Sequence, residues 1–256
     1  MTKVTVVIPF INLWDEYTLP CLQNLEKQDN SENLEIDIIL VSNQSSKEQV
    51  AKASEYCLGE HRLRANQGYF DERVPLAKIW NTGIKEAFSS LHNADYVLVS
   101  NNDVLYHKWA ISILEDNLKA HPEMAILSAW DIRDRIRPDE IYDCEVKGDF
   151  TETAESGANF AAFMISKEGY DKVGQFDESF NPAYFEDNDY DYRIKLAGMK
   201  SGHCPQAIFY HYGSRTQNST TGGMCDAIAF TKCRNYFVEK WGGVPGQETF
   251  NKPFNK

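Results

Sequence analysis

The sequence predicts one α/β domain: a mixed, mostly parallel sheet of Rossmann-like character, flanked by helices. Three observations carry this. Short, continuous apolar runs rich in β-branched residues recur along the chain, as strands buried on both faces require. Most are followed by a segment with apolar residues at helical spacing. Polar and acidic residues stand directly after two of the runs, at the carboxyl edge where open α/β sheets bind ligands. With 256 residues, one core can bury roughly three-quarters of the unfolded surface.

Val4-Thr5-Val6-Val7-Ile8, closed by Pro9, is the first strand. Asp15 and Thr18 offer caps, and Pro20 a first-turn position, for a helix to Gln28 that turns Leu22 and Leu25 inward. Ile36 to Val41 is the second strand. The polar loop Ser42 to Ser46 follows, and then a helix with Val50, Ala53 and Cys57 on one side. The strongest helical signal lies between Val74 and Phe88, where Leu76, Ile79, Trp80, Gly83, Ile84 and Ala87 share a face and Pro75 marks the start.

Tyr96 to Ser100 is a buried strand that runs straight into Asn101-Asn102-Asp103-Val104. Asp103 therefore stands where a nucleotide diphosphate and its metal are held in such sheets; the competing assignment is a turn or a cap for a helix from Lys108 to His121. Met124 to Ser128 is the next strand, and 131–153 is a charged, irregular excursion. Asn159 to Ile165 restores a strand, with a short helix from Ser166 to Val173 behind it.

The segment FDESFNPAYFEDNDYDYRIKLAG (176–198) sets carboxylates at the mouth of a helix, after a turn at Asn181-Pro182. At about 100° per residue, Tyr190, Ile194 and Ala197 form an apolar face with Asp187 at its rim. Asp189 points away and has Arg193 four residues on, which predicts a surface pair worth about 0.2–0.5 kcal/mol. Glu186 and Asp187, preceded by Tyr184 and Phe185, make a partly apolar edge suited to a general base; acids that merely complement the helix dipole are the alternative. Ala207 to Tyr210 is a last strand that delivers His211, a structural residue or a metal ligand. The polar, Gly-tipped loop Ser214 to Gly223 is expected to close over a donor diphosphate, with Arg215 contacting it. A helix from Ala227 to Trp241 and a loose tail, 242–256, end the sequence.

There are 38 acidic and 26 basic residues, a net charge of −12, which argues against a protein that binds nucleic-acid phosphates for its affinity. An acidic protein with an anionic substrate needs a neutralising group, most simply a divalent cation. MTKVTVVIPF lacks the apolar core of a signal peptide, and no run approaches the roughly 20 apolar residues that span a bilayer, so a cytoplasmic protein is expected. The 6 cysteines show no metal spacing and read as buried thiols.

Taken together, VTVVIP, Asn66-Gln67-Gly68, Asn81-Thr82-Gly83-Ile84, Ser100 to Val104, VGQFDESF, YFEDNDYDYRIKLAG and His211-Tyr212-Gly213-Ser214 resemble the family-2 glycosyltransferases of GT-A fold. The resemblance covers nearly the whole chain. It implies a single domain over 1–241, with a nucleotide-sugar-binding half (1–105) and an acceptor-binding and catalytic half (106–241). It also implies inverting transfer of a sugar from a nucleotide-diphosphate sugar to an acceptor hydroxyl, with Mn²⁺ or Mg²⁺ at Asp103 and His211 and Asp187 as base, Glu186 being its rival. Donor contacts are expected from Pro9, Asn43, Asn66, Gly68, Asn81, Asn102, Asp103 and Arg215, and acceptor contacts from Asn159 and Tyr184. Asn43 stands where the family usually carries an Asp for the base and ribose. The acceptor is a glycan, lipid-linked glycan, protein, small molecule or modified nucleobase. A glycoside hydrolase also uses paired carboxylates, but has no use for a nucleotide edge. The non-enzymatic alternative is a nucleotide-sugar- or glycan-binding module of the same fold.

Overall fold

The computed structural model describes residues 1–28, 34–155, 157–213, 215 and 227–256. Eight strands form one sheet: β1 (Thr2–Phe10), β2 (Leu34–Asn43), β3 (Arg64–Phe70), β4 (Tyr96–Ser100), β5 (Val104–Tyr106), β6 (Met124–Asp131), β7 (Ala162–Ser166) and β8 (Lys200–His211). Their spatial order is β3-β2-β1-β4-β7-β6-β8-β5. The pairs β1/β2, β1/β4, β2/β3 and β6/β8 are parallel, while β7 lies antiparallel to both β4 and β6, and β5 to β8. Six strands therefore run one way, and Asn43, Phe70, Ser100, Asp131 and His211 all come to the same carboxyl edge.

The described helices are α1 (Leu19–Leu25), α2 (Lys47–Leu58), α3 (Leu76–Ala87), α4 (Ala110–Ala120), α5 (Lys167–Val173), α6 (Glu186–Leu196) and α7 (Ala227–Trp241). Leu22, Leu25, Ala53, Leu114 and Leu118 pack on one face of the sheet. Trp80, Ile84, Phe176, Tyr190 and Ile194 cover the other. Gly83 permits the second contact: a Cβ there would stand 2.2 Å from Val7 Cγ1, so α3 can lie against β1 only with glycine at that turn. Among the described residues no helix is long and apolar enough to cross a membrane.

Three buried asparagines act as extra backbone partners, one for the end of β5 and two for irregular segments. Asn24 bonds both the N–H and the C=O of Tyr106, at 2.7 and 2.9 Å. Asn43 does the same to Val74, at 2.9 and 3.0 Å, and Asn81 to Phe176, at 2.8 and 2.9 Å. Each amide matches the backbone donor and acceptor of one residue, groups that burial would otherwise leave unpaired. Asn81→Ala should destabilise the fold by about 1–3 kcal/mol for each backbone group orphaned. A urea midpoint that falls with an unchanged slope is the expected record.

Several local expectations differ from the structure. β3 carries Asn66-Gln67-Gly68 at the sheet's end and has no apolar run, because an edge strand is paired on one side only. β5 has three residues, held by pairing with β8. A π-helical turn, Trp14–Thr18, precedes α1, and neither expected cap is used as one. Asp15 pairs with Lys52 at 2.5 Å, while Thr18 Oγ1 accepts from Asn102 Nδ2. The segment after α7 is not loose. Thr249 and Phe250 N–H groups bond Trp241 O, Tyr192 Oη donates to Phe250 O, and Phe254 packs edge-on against Tyr236. Cys21, Cys204 and Cys233 are buried free thiols, Cys57 and Cys144 are half-buried, and Cys225 lies outside the described residues.

Candidate active site

Antiparallel pairing sets Val104 opposite His211, and Tyr212 N–H donates to Asp103 O at 3.0 Å. The end of β8 is thereby fastened to the turn after β4. Two strand ends far apart in sequence then place His211 Nε2 3.1 Å from Asp103 Oδ1. Asp103 is 5% exposed. Asn101 Nδ2 lies 3.4 Å from the same ring nitrogen, and Arg133 Nη2 lies 3.4 Å from Nδ1. A guanidinium only donates, so in this arrangement Nδ1 accepts and Nε2 carries the proton toward the carboxylate. Arg133 is held by Asp131, with Nε 2.6 Å and Nη2 2.5 Å from Oδ2. It was not found from the sequence because it sits in the irregular 131–153 segment, where no periodicity marks it.

α6 begins at the same edge. Leu76 N–H, at the start of α3, donates to Pro182 O at 3.0 Å, which ties the approach to α6 to the carboxyl end of the sheet; Asn181-Pro182 is a cis peptide. Tyr184 and Phe185 both adopt positive φ, 83° and 69°. Such conformations in bulky residues cost about 1–3 kcal/mol each and collect at functional sites. Phe185 is held there by packing with Phe180, Cys233, Phe237 and Trp241, and Tyr184 meets Phe230 edge-on.

The first turn of α6 divides its acids. Glu186 is buried, with Oε2 unpaired; burial, and then the adjacent Asp187 charge, pushes its carboxyl up to about 8. Asp187 is half-buried, as its place at the rim of the apolar face predicts, and burial raises its carboxyl above the ordinary range. Asp189 departs from the predicted surface pair. It is 0% exposed, bonded to Arg193 Nε at 2.9 Å, Trp241 Nε1 at 2.8 Å and Lys240 Nζ at 2.5 Å. Lys240 also reaches Asp177 at 2.7 Å. Burial drives Asp177 up, but Lys240 and the Ser179 N–H outweigh it and hold the carboxyl at about 2. The expectation failed because helical phase identifies a face, whereas α7 packs over the face taken to be solvent. Ala197, assigned to the apolar face, is exposed at the helix end.

Other predicted residues fall as follows. Pro9 is buried within β1, and Asn102 is buried on Thr18. Asn43 and Asn81, expected at the donor, are buried with both ends of their amides spent on backbone; their geometry gives them a scaffolding role. Asn66 is exposed and Gly68 half-exposed on β3. Asn159 is half-buried before β7, its Oδ1 accepting from Ala161 N–H. Arg215 is exposed, and the rest of the loop Ser214 to Gly223 lies outside the described residues.

The sheet of this α/β scaffold gathers a carboxylate–imidazole pair and an acidic helix mouth at its carboxyl edge. The family model described as "Glycosyl transferase family 2" matches residues 5–168, and the chain belongs to that family. Solved structures agree on the fold, which is of GT-A type. A mannosyltransferase from Pyrobaculum calidifontis, in complex with GDP-Man and Mn²⁺, is similar at 16% identity and TM-score 0.63, over 84% of this chain and 59% of that one. S. aureus TarS residues 1–349, in complex with UDP-GlcNAc, is 16% identical with TM-score 0.65, over 93% and 66%. GalNAc-T7, with UDP, GalNAc and Mn²⁺, is 17% identical with TM-score 0.67, over 94% and 48%. This chain thus spans less than two-thirds of the length of each. No curated protein matches it.

Proposed function

We propose that this chain transfers a sugar from a nucleotide-diphosphate sugar to an acceptor hydroxyl, with inversion and with Asp187 as general base. The observation that supports this best is the meeting of Asp103 and His211 at 3.1 Å, on the sheet edge where α6 also presents Glu186 and Asp187. One carboxylate and one imidazole suit Mn²⁺ or Mg²⁺ if the diphosphate and water complete the shell. Among the described residues no cluster of three ligands exists, so the substrate's own oxygens have a necessary part in the set. When bound, the cation supplies Lewis-acid neutralisation of charge growing on the leaving diphosphate.

His211 would hold the cation through Nε2 only in the tautomer that carries its proton on Nδ1. Arg133 would then give up its contact with Nδ1, its guanidinium staying at the edge, anchored by Asp131, as a further charge for phosphate oxygens. Asp187 takes the acceptor proton as the hydroxyl oxygen attacks the anomeric carbon from the side opposite the leaving group. That displacement inverts the centre and needs no covalent intermediate.

A thermal-shift screen of nucleotide sugars with Mn²⁺ tests the reading. A donor at 100 times its dissociation constant should add about 2.7 kcal/mol of stability. Asp103→Ala, or excess EDTA, should abolish that shift while leaving the unliganded melting temperature close to wild type. Donor binding that survives both treatments would remove the metal site from the proposal.

A further inference from the structure

We propose that the cleft at the carboxyl end of β6 is an acceptor subsite that takes a neutral pyranose ring, stacked on Trp130 and hydrogen-bonded by Asn159 and Asp131. This rests on the transferase reading above and names its acceptor class. The cleft measures about 160 Å³ and is lined by Ser128, Trp130, Asp131, Gly157, Asn159 and His203. Room on that scale suits one ring.

Three features point to a sugar. Trp130 is 39% exposed, while its inner side rests on His203 with ring centroids 4.4 Å apart. The indole is thus fixed in place with apolar surface left in water, a platform for the C–H face of a pyranose. Ser128 Oγ accepts from Asn159 N–H at 2.8 Å, and Asn159 Oδ1 accepts from Ala161 N–H at 3.0 Å. The first fixes the backbone and the second the side chain, whose Nδ2 has no partner among the described residues, leaving a donor for a hydroxyl. Asp131 holds Arg133 and retains acceptor capacity, since a carboxylate offers about four lone-pair sites. The lining itself includes no lysine or arginine, the neighbouring Arg133 being spent on Asp131, and burial keeps His203 below its ordinary value and hence neutral at pH 7. A neutral ring suits such a lining.

The cleft also lies under the proposed base. Asp191 receives a hydrogen bond from Ser201 Oγ, so this side of α6 rests on β8. The two elements are joined by a tight turn at 197–199 and run antiparallel. One turn back along α6, about 5.4 Å, is Asp187; two residues forward along β8, about 6.6 Å and on the same face, is His203. Both steps go toward the carboxyl edge. A ring on Trp130 would therefore sit beneath the Asp187 end of the helix and within the same edge as Asp103 and His211.

Saturation-transfer NMR on the full chain decides this, with methyl pyranosides of the gluco, galacto, manno and N-acetylglucosamine series as probes and inorganic phosphate and a serine/threonine peptide as controls. At least one pyranoside should bind. Trp130→Ala should weaken it at least about tenfold, equivalent to about 1.4 kcal/mol, Trp130→Phe should restore most of the affinity, and Asn159→Ala should weaken it several-fold. Donor affinity, measured by thermal shift, should not move. If Trp130→Ala does not fold, Trp130→Phe and Asn159→Ala still carry the test. No pyranoside binding to wild type, equal binding by the Trp130 and Asn159 variants, or a response to the peptide or inorganic phosphate instead would each overturn the subsite. Absence of any donor binding by wild type is a separate result, and sinks the transferase reading itself.

Discussion

Asp187→Asn should lower kcat by about 10²–10⁴-fold while donor affinity stays near wild type. The two carboxyls at the helix mouth compete for one negative charge. Asp187 retains partial access to water, whereas Glu186 is buried with an unpaired oxygen and is pushed to about 8. Asp187 is therefore the one ionised at neutral pH, and Glu186 holds its proton. Burial raises Asp187 as well, which makes it a stronger base than a free aspartate, since catalytic carboxyls work best with a pKa drawn toward the operating pH. Turnover should accordingly fall as pH drops through that raised pKa, and Asp187→Asn should flatten this limb of the profile. Glu186→Gln preserves the form that Glu186 already has at pH 7 and should cost far less. Near wild-type turnover in Asp187→Asn, together with an inactive Glu186→Gln, would reverse the assignment.

Asp189→Ala should unfold more easily by about 3–5 kcal/mol, the range for removing one partner of a buried charge network. Its carboxylate is wholly buried and answers three donors from two elements, Arg193 on α6 and Lys240 and Trp241 on α7. Without it, the Trp241 indole N–H loses its acceptor and Lys240 is left with Asp177 alone. Asp189→Asn keeps an acceptor for Trp241 and should fall between. Chemical denaturation monitored by tryptophan fluorescence reads this directly, because Trp241 reports on the contact being broken. A loss below about 1 kcal/mol would mean that the site behaves as the exposed helix pair its spacing suggests. The expected phenotype also separates the neighbours: Asp187 variants fold and fail to turn over, whereas Asp189 variants lose the helix packing first.

Much of the architecture was legible in the sequence. Val4 to Ile8, Ile36 to Val41 and Tyr96 to Ser100 read as strands because burial on both faces demands unbroken apolar runs, and Leu76 to Ala87 read as a helix because its apolar residues repeat at helical spacing. The order of these segments, with Asp103 and His211 each placed directly after a strand, is enough to indicate family-2 resemblance and to bring the two residues to one edge. Local patterns carry that much because periodicity and strand ends are properties of neighbouring residues. Partner choice is not. Whether Asn43 and Asn81 face a ligand or grip Val74 and Phe176, whether Asp189 meets water or Lys240, and whether Arg133 drifts in a loop or stands against His211 all depend on contacts across 31 to 95 residues of chain. A polar side chain's role is set by what arrives opposite it, and burial then converts an exposed pair worth tenths of a kcal/mol into a network worth several. The sequence by itself determined the sheet, the edge and the kinds of chemistry gathered there; the tertiary structure alone decided which polar residues are left free to meet a substrate and which are consumed in holding the fold.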